Sequence, residues 1–325
     1  MKARRAKQFN LLKLQAPCRE VVSVYEIITG RIVELLEKGT VPWHKPWKGS
    51  TKAPKNLVSG KEYRGMNVLV LASAGFESPW WLTYRQAIER GGHVKKGAEG
   101  FPVLYWNWVA RHGDLDSEAG AAVEETRAAK RKMPLVRYYT VFNVLQCDGV
   151  EYAQIEVQKT SFSPLEVCEA VVAGMHNPPT IDKTQSKAFY CPSEDLVAMP
   201  KPEKFDRAEE FYSTLFHELT HSTGHAMRLN RDGIMDRPIF GSADYTKEEL
   251  VAEMGAAFLC GYCGIESKVL GNSASYIDNW LRKLKNDAPL VVHAAAQAQK
   301  AADYILNRVF DSEEQEPEIQ REENE

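Results

Sequence analysis

His217-Glu218-Leu219-Thr220-His221 sets two imidazoles four residues apart, with a carboxylate beside the first. On a helix, residues four apart project from one face, so both rings can reach a single ion. A carboxylate next to a ligand is placed to take a proton from a water that the ion has acidified. The pattern therefore predicts a metal centre with His217 and His221 as ligands, Glu218 as general base, and zinc as the ion. Zinc needs a third protein ligand and an open fourth position. His225 lies one turn on, but Gly224 is expected to end the helix first. Glu249 and Glu253 lie four apart further along, so one can bind the ion while the other orients a histidine from behind. Glu249 is the favoured ligand and Glu253 the alternative. Glu249 also has a competing role, since with Thr246 as N-cap it would close a capping box.

The elements that must hold these groups are legible around them. Asp206 followed by Glu209 reads as a capping-box start and Gly224 as a stop, giving a helix over 207–223. Phe211, Leu215 and Leu219 form its apolar stripe, and both histidines point away from it. Asp195–Met199 reads as a short strand whose edge could meet an extended peptide. Pro164–Met175, 247–263 and 274–310 read as helices, the last broken at Pro289. The residue at 227 is Met227, not the third histidine that a metzincin requires. Cys260-Gly-Tyr-Cys263 is a lone pair of cysteines and reads as buried thiols.

The first half has a different character. Residues 1–110 hold 18 Lys and Arg against 8 Asp and Glu, a net of +10 inside a chain whose net charge is −3. Such a surface calls for an anionic partner. Six of the seven tryptophans lie there, interleaved with cations. Stacking rings among cations suit single-stranded DNA. The candidates are Trp43, Lys45, Trp47, Lys48, Lys52, Lys55, Arg64, Lys95 and Lys96, whereas Trp81, Trp106 and Trp108 are assigned to packing. Helices are expected over 18–40 and Leu82–Glu89, with strands at Pro102–Ala110 and Leu135–Leu145. The low-complexity stretch 111–133 reads as an insertion at a hairpin tip, and 311–325 as an acidic disordered tail. No run is long enough to span a membrane, and no secretory pattern or dense cysteine spacing is present. A soluble cytoplasmic protein is expected.

Taken together, Val41-Pro-Trp-His-Lys-Pro-Trp47, Ser59 to Asn67, Lys95 to Gly100, Val141-Phe-Asn143, Phe189-Tyr-Cys-Pro192, His217 to His225, Arg228-Leu229 and Glu248 to Glu253 make the chain resemble the ArdC-like antirestriction proteins. The resemblance implies an α+β protein of two domains. Residues 1–155 would bind single-stranded DNA non-specifically, and 160–310 would form a zincin-like, gluzincin-type metallopeptidase domain. It also implies protection of incoming mobile-element DNA, as in conjugation of a plasmid, from host restriction. A host restriction protein or another DNA-bound protein is the candidate substrate. The alternative is a DNA-dependent zinc protease acting on DNA-bound proteins or DNA–protein crosslinks. Whether peptide bonds are cut at all stays open.

Overall fold

The computed structural model describes residues 23–43, 53–110, 132–153, 163–231, 243–265 and 274–308. The first half contains α1 (Val24–Glu37), β1 (Lys55–Asn56), α2 (Met66–Ala72), β2 (Trp80–Thr83), α3 (Tyr84–Glu89), β3 (His93–Val94), β4 (Phe101–Ala110), β5 (Lys132–Asn143) and β6 (Cys147–Asp148). The second contains α4 (Pro164–Gly174), β7 (Thr180–Asp182), β8 (Phe189–Cys191), β9 (Leu196–Ala198), α5 (Ala208–Ser222), α6 (Ala243–Cys263), α7 (Ala274–Asn286) and α8 (Ala288–Ile305). Both halves mix helices with short sheets, as an α+β chain should.

Local chemistry explains most boundaries. Ser23 and Glu26 close a capping box on α1, and Gly39 follows its end at a φ of 74°, where a side chain would be strained. Thr83 and Gln86 do the same for α3. The helix expected from Leu82 therefore starts later, because Trp81, Leu82 and Thr83 pair with Asn143, Phe142 and Val141 of β5. Strand order in the larger sheet is β1-β2-β5-β4. The β4–β5 ladder runs from Phe101↔Val141 to Ala110↔Lys132, so the chain leaves the sheet at a hairpin tip where the insertion was expected. Residues 111–131 of the insertion and the acidic tail lie outside the described residues, while Lys132 and Met133, read as its end, begin β5. β3 and β6 form a two-stranded sheet, and in the three-stranded sheet of the second half the order is β7-β9-β8, which puts β9 in the middle. The strand expected to offer a free edge is thus paired on both sides, and the edges belong to β7 and β8.

One apolar core crosses the boundary between the halves. Ile28, Ile32 and Leu36 of α1 and Leu69 of α2 pack in one cluster with Leu250 and Met254 of α6, Trp280 of α7, and Val291 and Ala295 of α8. Thr29 donates from Oγ1 to the Ala288 carbonyl at 2.6 Å, and Lys285 pairs with Glu37. Trp43 belongs to this core. It is 1 % exposed and meets Trp280 edge-on, with ring centroids 6.3 Å apart. The DNA-stacking role expected for Trp43 is therefore corrected: its ring faces another ring inside the protein. Its polar sequence neighbours suggested a surface loop, whereas its actual neighbour arrives from α7.

Candidate metal centre

Helix α5 carries the two histidines and does not start as expected. Its N-cap is Arg207, which makes no side-chain cap, so the Asp206–Glu209 box does not form. Burial holds the helix instead, since every side chain from Phe211 to Thr220 is out of solvent, His217 and Glu218 among them. Helix α6 already runs from Ala243, which places Thr246 inside it. The capping role considered for Glu249 falls away, and its carboxylate is available to face α5.

Glycine sets the distance between these helices. A Cβ on Gly255 would come within 2.5 Å of Thr220 Cγ2 and 2.7 Å of its Oγ1. Thr220 has little room to yield, because its hydroxyl donates to the Phe216 carbonyl at 2.7 Å. The missing side chain lets α6 approach α5 closely enough for Glu249 to reach both rings.

His217 Nε2 and His221 Nε2 lie 3.1 Å apart. Glu249 Oε2 is 3.6 Å from the former, and its Oε1 is 3.5 Å from the latter. Among the described residues, His217, His221 and Glu249 offer donor atoms that all lie within 4.8 Å of one another. Ligands at ~2.0–2.1 Å around a tetrahedral ion are separated by roughly 3.3 Å, so the three fit one cation without rearrangement. Burial disfavours a charge on His217, yet the Glu249 carboxylate raises its pKa above the ordinary value. His221, also opposed by burial, is pushed up to about 10 by Glu248 and Glu249. In return the histidines hold the buried Glu249 carboxyl below the usual carboxylate range. Two imidazole nitrogens and one carboxylate oxygen form a donor set that a divalent cation can occupy by displacing the protons the rings hold.

Behind the ligands stands an ion-pair relay absent from the sequence reading. Glu248 Oε1 sits 3.3 Å from His221 Nδ1. Arg231 grips the same carboxylate twice, Nη2 to Oε1 at 2.6 Å and Nε to Oε2 at 3.2 Å. It also donates to Thr223 Oγ1 at 2.6 Å and to the Thr220 carbonyl at 2.8 Å. A proton held at Nδ1 leaves the Nε2 lone pair facing the site. The orienting role considered for Glu253 thus falls to Glu248, its near neighbour on α6. Glu253 is buried, its Oε1 has no hydrogen-bond partner among the described residues, and burial raises its pKa to about 7. One residue ahead of His221, Thr220 serves as packing partner for Gly255.

The loop after α5 is anchored too. The Arg228 side chain is fully buried and donates to both oxygens of Asp195 at 2.9 and 2.7 Å, and to the Ser222 carbonyl. Tyr190 of β8 donates to the same carboxylate at 2.9 Å. This ties the end of the histidine helix to the β8–β9 turn. His225 lies past the helix end, outside the triad, and its Nδ1 accepts from the Met227 amide. Cys260 and Cys263 are buried, as expected.

The DNA-binding candidates scatter. Lys45, Trp47, Lys48 and Lys52 lie outside the described residues. Lys55 pairs with Glu62 at 3.2 Å, and Arg64 pairs with Asp303 of α8. Lys95 and Lys96 are exposed just after β3, Lys95 donating to the Leu145 carbonyl at 3.1 Å. Trp81 is buried against Phe76 and Phe101, and Trp106 stands edge-on to Tyr25, in line with packing roles. Among the described residues of this half, the exposed large aromatic rings are Tyr84 and Tyr138, which sequence reasoning passed over.

Comparisons with known proteins agree with this division. Residues 22–142 match the model of the N-terminal domain of anti-restriction factor ArdC, and residues 168–297 match that of a zincin-like metallopeptidase. A zincin-like domain implies a divalent metal. Two DNA primase TraC proteins of Escherichia coli are 35 % and 36 % identical over 292 residues; the matches cover 87 % of this chain but 27 % and 20 % of those proteins. The protein y4eC of Sinorhizobium fredii is 33 % identical over 300 residues, 90 % of this chain and 94 % of that one. The crystal structure of the antirestriction ArdC protein of plasmid R388 in its metal-free form superposes with a TM-score of 0.66 at 35 % identity, covering 87 % of this chain and 96 % of the other. Its Mn(II)-bound form gives 0.65 at 35 % identity, covering 88 % and 97 %.

Proposed function

This chain belongs to the ArdC-like antirestriction family, and from that premise we propose that it binds single-stranded DNA without sequence preference and shields incoming DNA from host restriction. The observation that carries the reading is the joining, through one core, of a basic first half to a preformed His217–His221–Glu249 cluster. Of the candidate cations, Lys95 and Lys96 are exposed, Lys95 lying 3.5 Å from Asp148, and contacts from such residues to phosphates release counterions, so affinity falls with salt. The metal is zinc, because two imidazoles and one carboxylate at tetrahedral spacing suit it better than an oxygen-seeking ion. When bound, such an ion acidifies a water and polarises a carbonyl. Around it, His217, His221 and Glu249 hold their positions, Glu248 and Arg231 fix the His221 ring, and Glu218 accepts a proton. The work is done in the cytoplasm, where the entering strand meets restriction enzymes.

The test is transfer of unmodified DNA, entering as a single strand, into a restricting and a non-restricting host, each with and without this protein. Survival should rise in the restricting host alone. Shielding by coating requires Glu218→Ala to protect as well as the parent. Loss of protection by a Glu218→Ala variant that still binds DNA would instead assign the effect to proteolysis. Equal survival in all four pairings would overturn the antirestriction reading.

A further inference from the structure

Between the halves lies a cavity of about 380 Å³ lined by Phe76, Trp81 and Phe258 and by residues of α2, α6 and α8. Its lining also carries Lys55, Arg64 and Arg308 against one acid, Glu62, and of these cations Arg308 is exposed. Lys55 is paired with Glu62 and Arg64 with Asp303, so the rim keeps its positive excess near Arg308. Arg308 lies over the ring of Tyr262, 4.8 Å from its centroid, and Tyr262 is 48 % exposed, a high value for a tyrosine on a helix lining an apolar cavity. A flat, largely apolar body inside with an anion at the rim is the shape of a nucleotide. Arg308 over an exposed aromatic face, with the ion-paired Lys55 and Arg64 on the same lining, offers a phosphate a cation and a base a ring to stack on.

We propose that this interdomain cavity takes one nucleotide of a bound single strand, the base entering against Trp81 and Phe258 and the phosphate held by Arg308, Lys55 and Arg64. The proposal rests on the single-strand reading above and gives it a site that neither half forms alone. It also places the strand on α6, the helix that carries Glu249 roughly 20 Å away along its axis.

Full-length protein would be titrated with a fluorescent oligothymidylate bearing one 5-iododeoxyuridine, with thymidine monophosphate as competitor. The cross-linked peptide would be identified by mass spectrometry. Tyr262 and Arg308 sit at the surface, so the double variant Tyr262→Ala, Arg308→Ala should fold, which an unchanged melting curve verifies. The expected result is a cross-link within the cavity lining, competition by the monophosphate, and affinity about ten-fold lower in the variant. Unchanged affinity in the variant, with cross-links only elsewhere, overturns the cavity site and leaves single-strand binding intact. Binding of the monophosphate but not the strand, lost in the variant, keeps the nucleotide site and overturns the single-strand reading. Binding of neither overturns both.

Discussion

Arg231 offers no donor to a metal, yet it holds Glu248 against His221 and caps two groups at the end of α5. The closeness of His217 and His221 was legible, because a helical repeat of four fixes their relative position from spacing alone. The relay was not, because Arg231 lies beyond the end of α5 and Glu248 on α6, 17 residues apart, and no helical period reports on that. Each position has its own expected loss. The purified protein should hold close to one divalent ion per chain. His217→Ala or Glu249→Ala should remove it, since two remaining ligands bind poorly. Glu253→Ala should keep it, because Glu253 stands outside the triad. Arg231→Ala should retain the ligands but weaken the metal by about 10–100-fold, as loss of a group that orients a ligand does. Chelator competition followed by elemental analysis reads all four. Occupancy in Glu249→Ala equal to the parent, with loss in Glu253→Ala, would move the third ligand one turn along α6.

At the scale of elements, two glycines in helices make opposite predictions. A Cβ on Gly30 in α1 meets nothing within 4 Å, whereas one on Gly255 strikes Thr220. Gly30→Ala should therefore stabilise the protein by about 0.5–1 kcal/mol through helix propensity alone. The same change at Gly255 gains that propensity and loses more, because α5 and α6 must separate. Its melting temperature and its metal affinity should fall together, since Glu249 retreats from the histidines. A Gly255→Ala protein with parental metal affinity would show that the spacing of the helices does not set the site. Sequence patterning found most of these helices, and the break at Pro289 appears as the interruption between α7 and α8, with Asp287 at the N-cap position making no side-chain cap and Pro289 in the first turn of α8. It misplaced the starts of α3 and α6 and the cap of α5, each for its own reason. Leu82 is claimed by pairing with β5 before Thr83 caps α3, Arg207 rather than Asp206 takes the N-cap position of α5, and α6 already runs through Thr246.

At the scale of the whole molecule, two units can be distinguished by family and by charge while sharing their folding energy. The apolar faces of α1 and α2 would be open to water in a chain ending near residue 155, because α6, α7 and α8 cover them. Composition separates a basic first half from the rest, but it says nothing about which surfaces meet between them, and Trp43 was misread for that reason. Burying a tryptophan between two units couples them: removing the ring costs each unit part of its core. Trp43→Ala should therefore destabilise the full chain by about 3–5 kcal/mol and leave the salt dependence of strand binding unchanged. The loss should appear equally in tryptophan fluorescence, which reports mainly on the first half, and in denaturant-induced release of metal, which reports on the second. A single transition shared by both probes in the parent, moved by the same amount in Trp43→Ala, is the expected result. Two separate transitions, with metal release indifferent to Trp43, would mean that the halves fold independently and merely touch. Strand binding and the metal centre would then have no common framework through which the occupancy of one could reach the other.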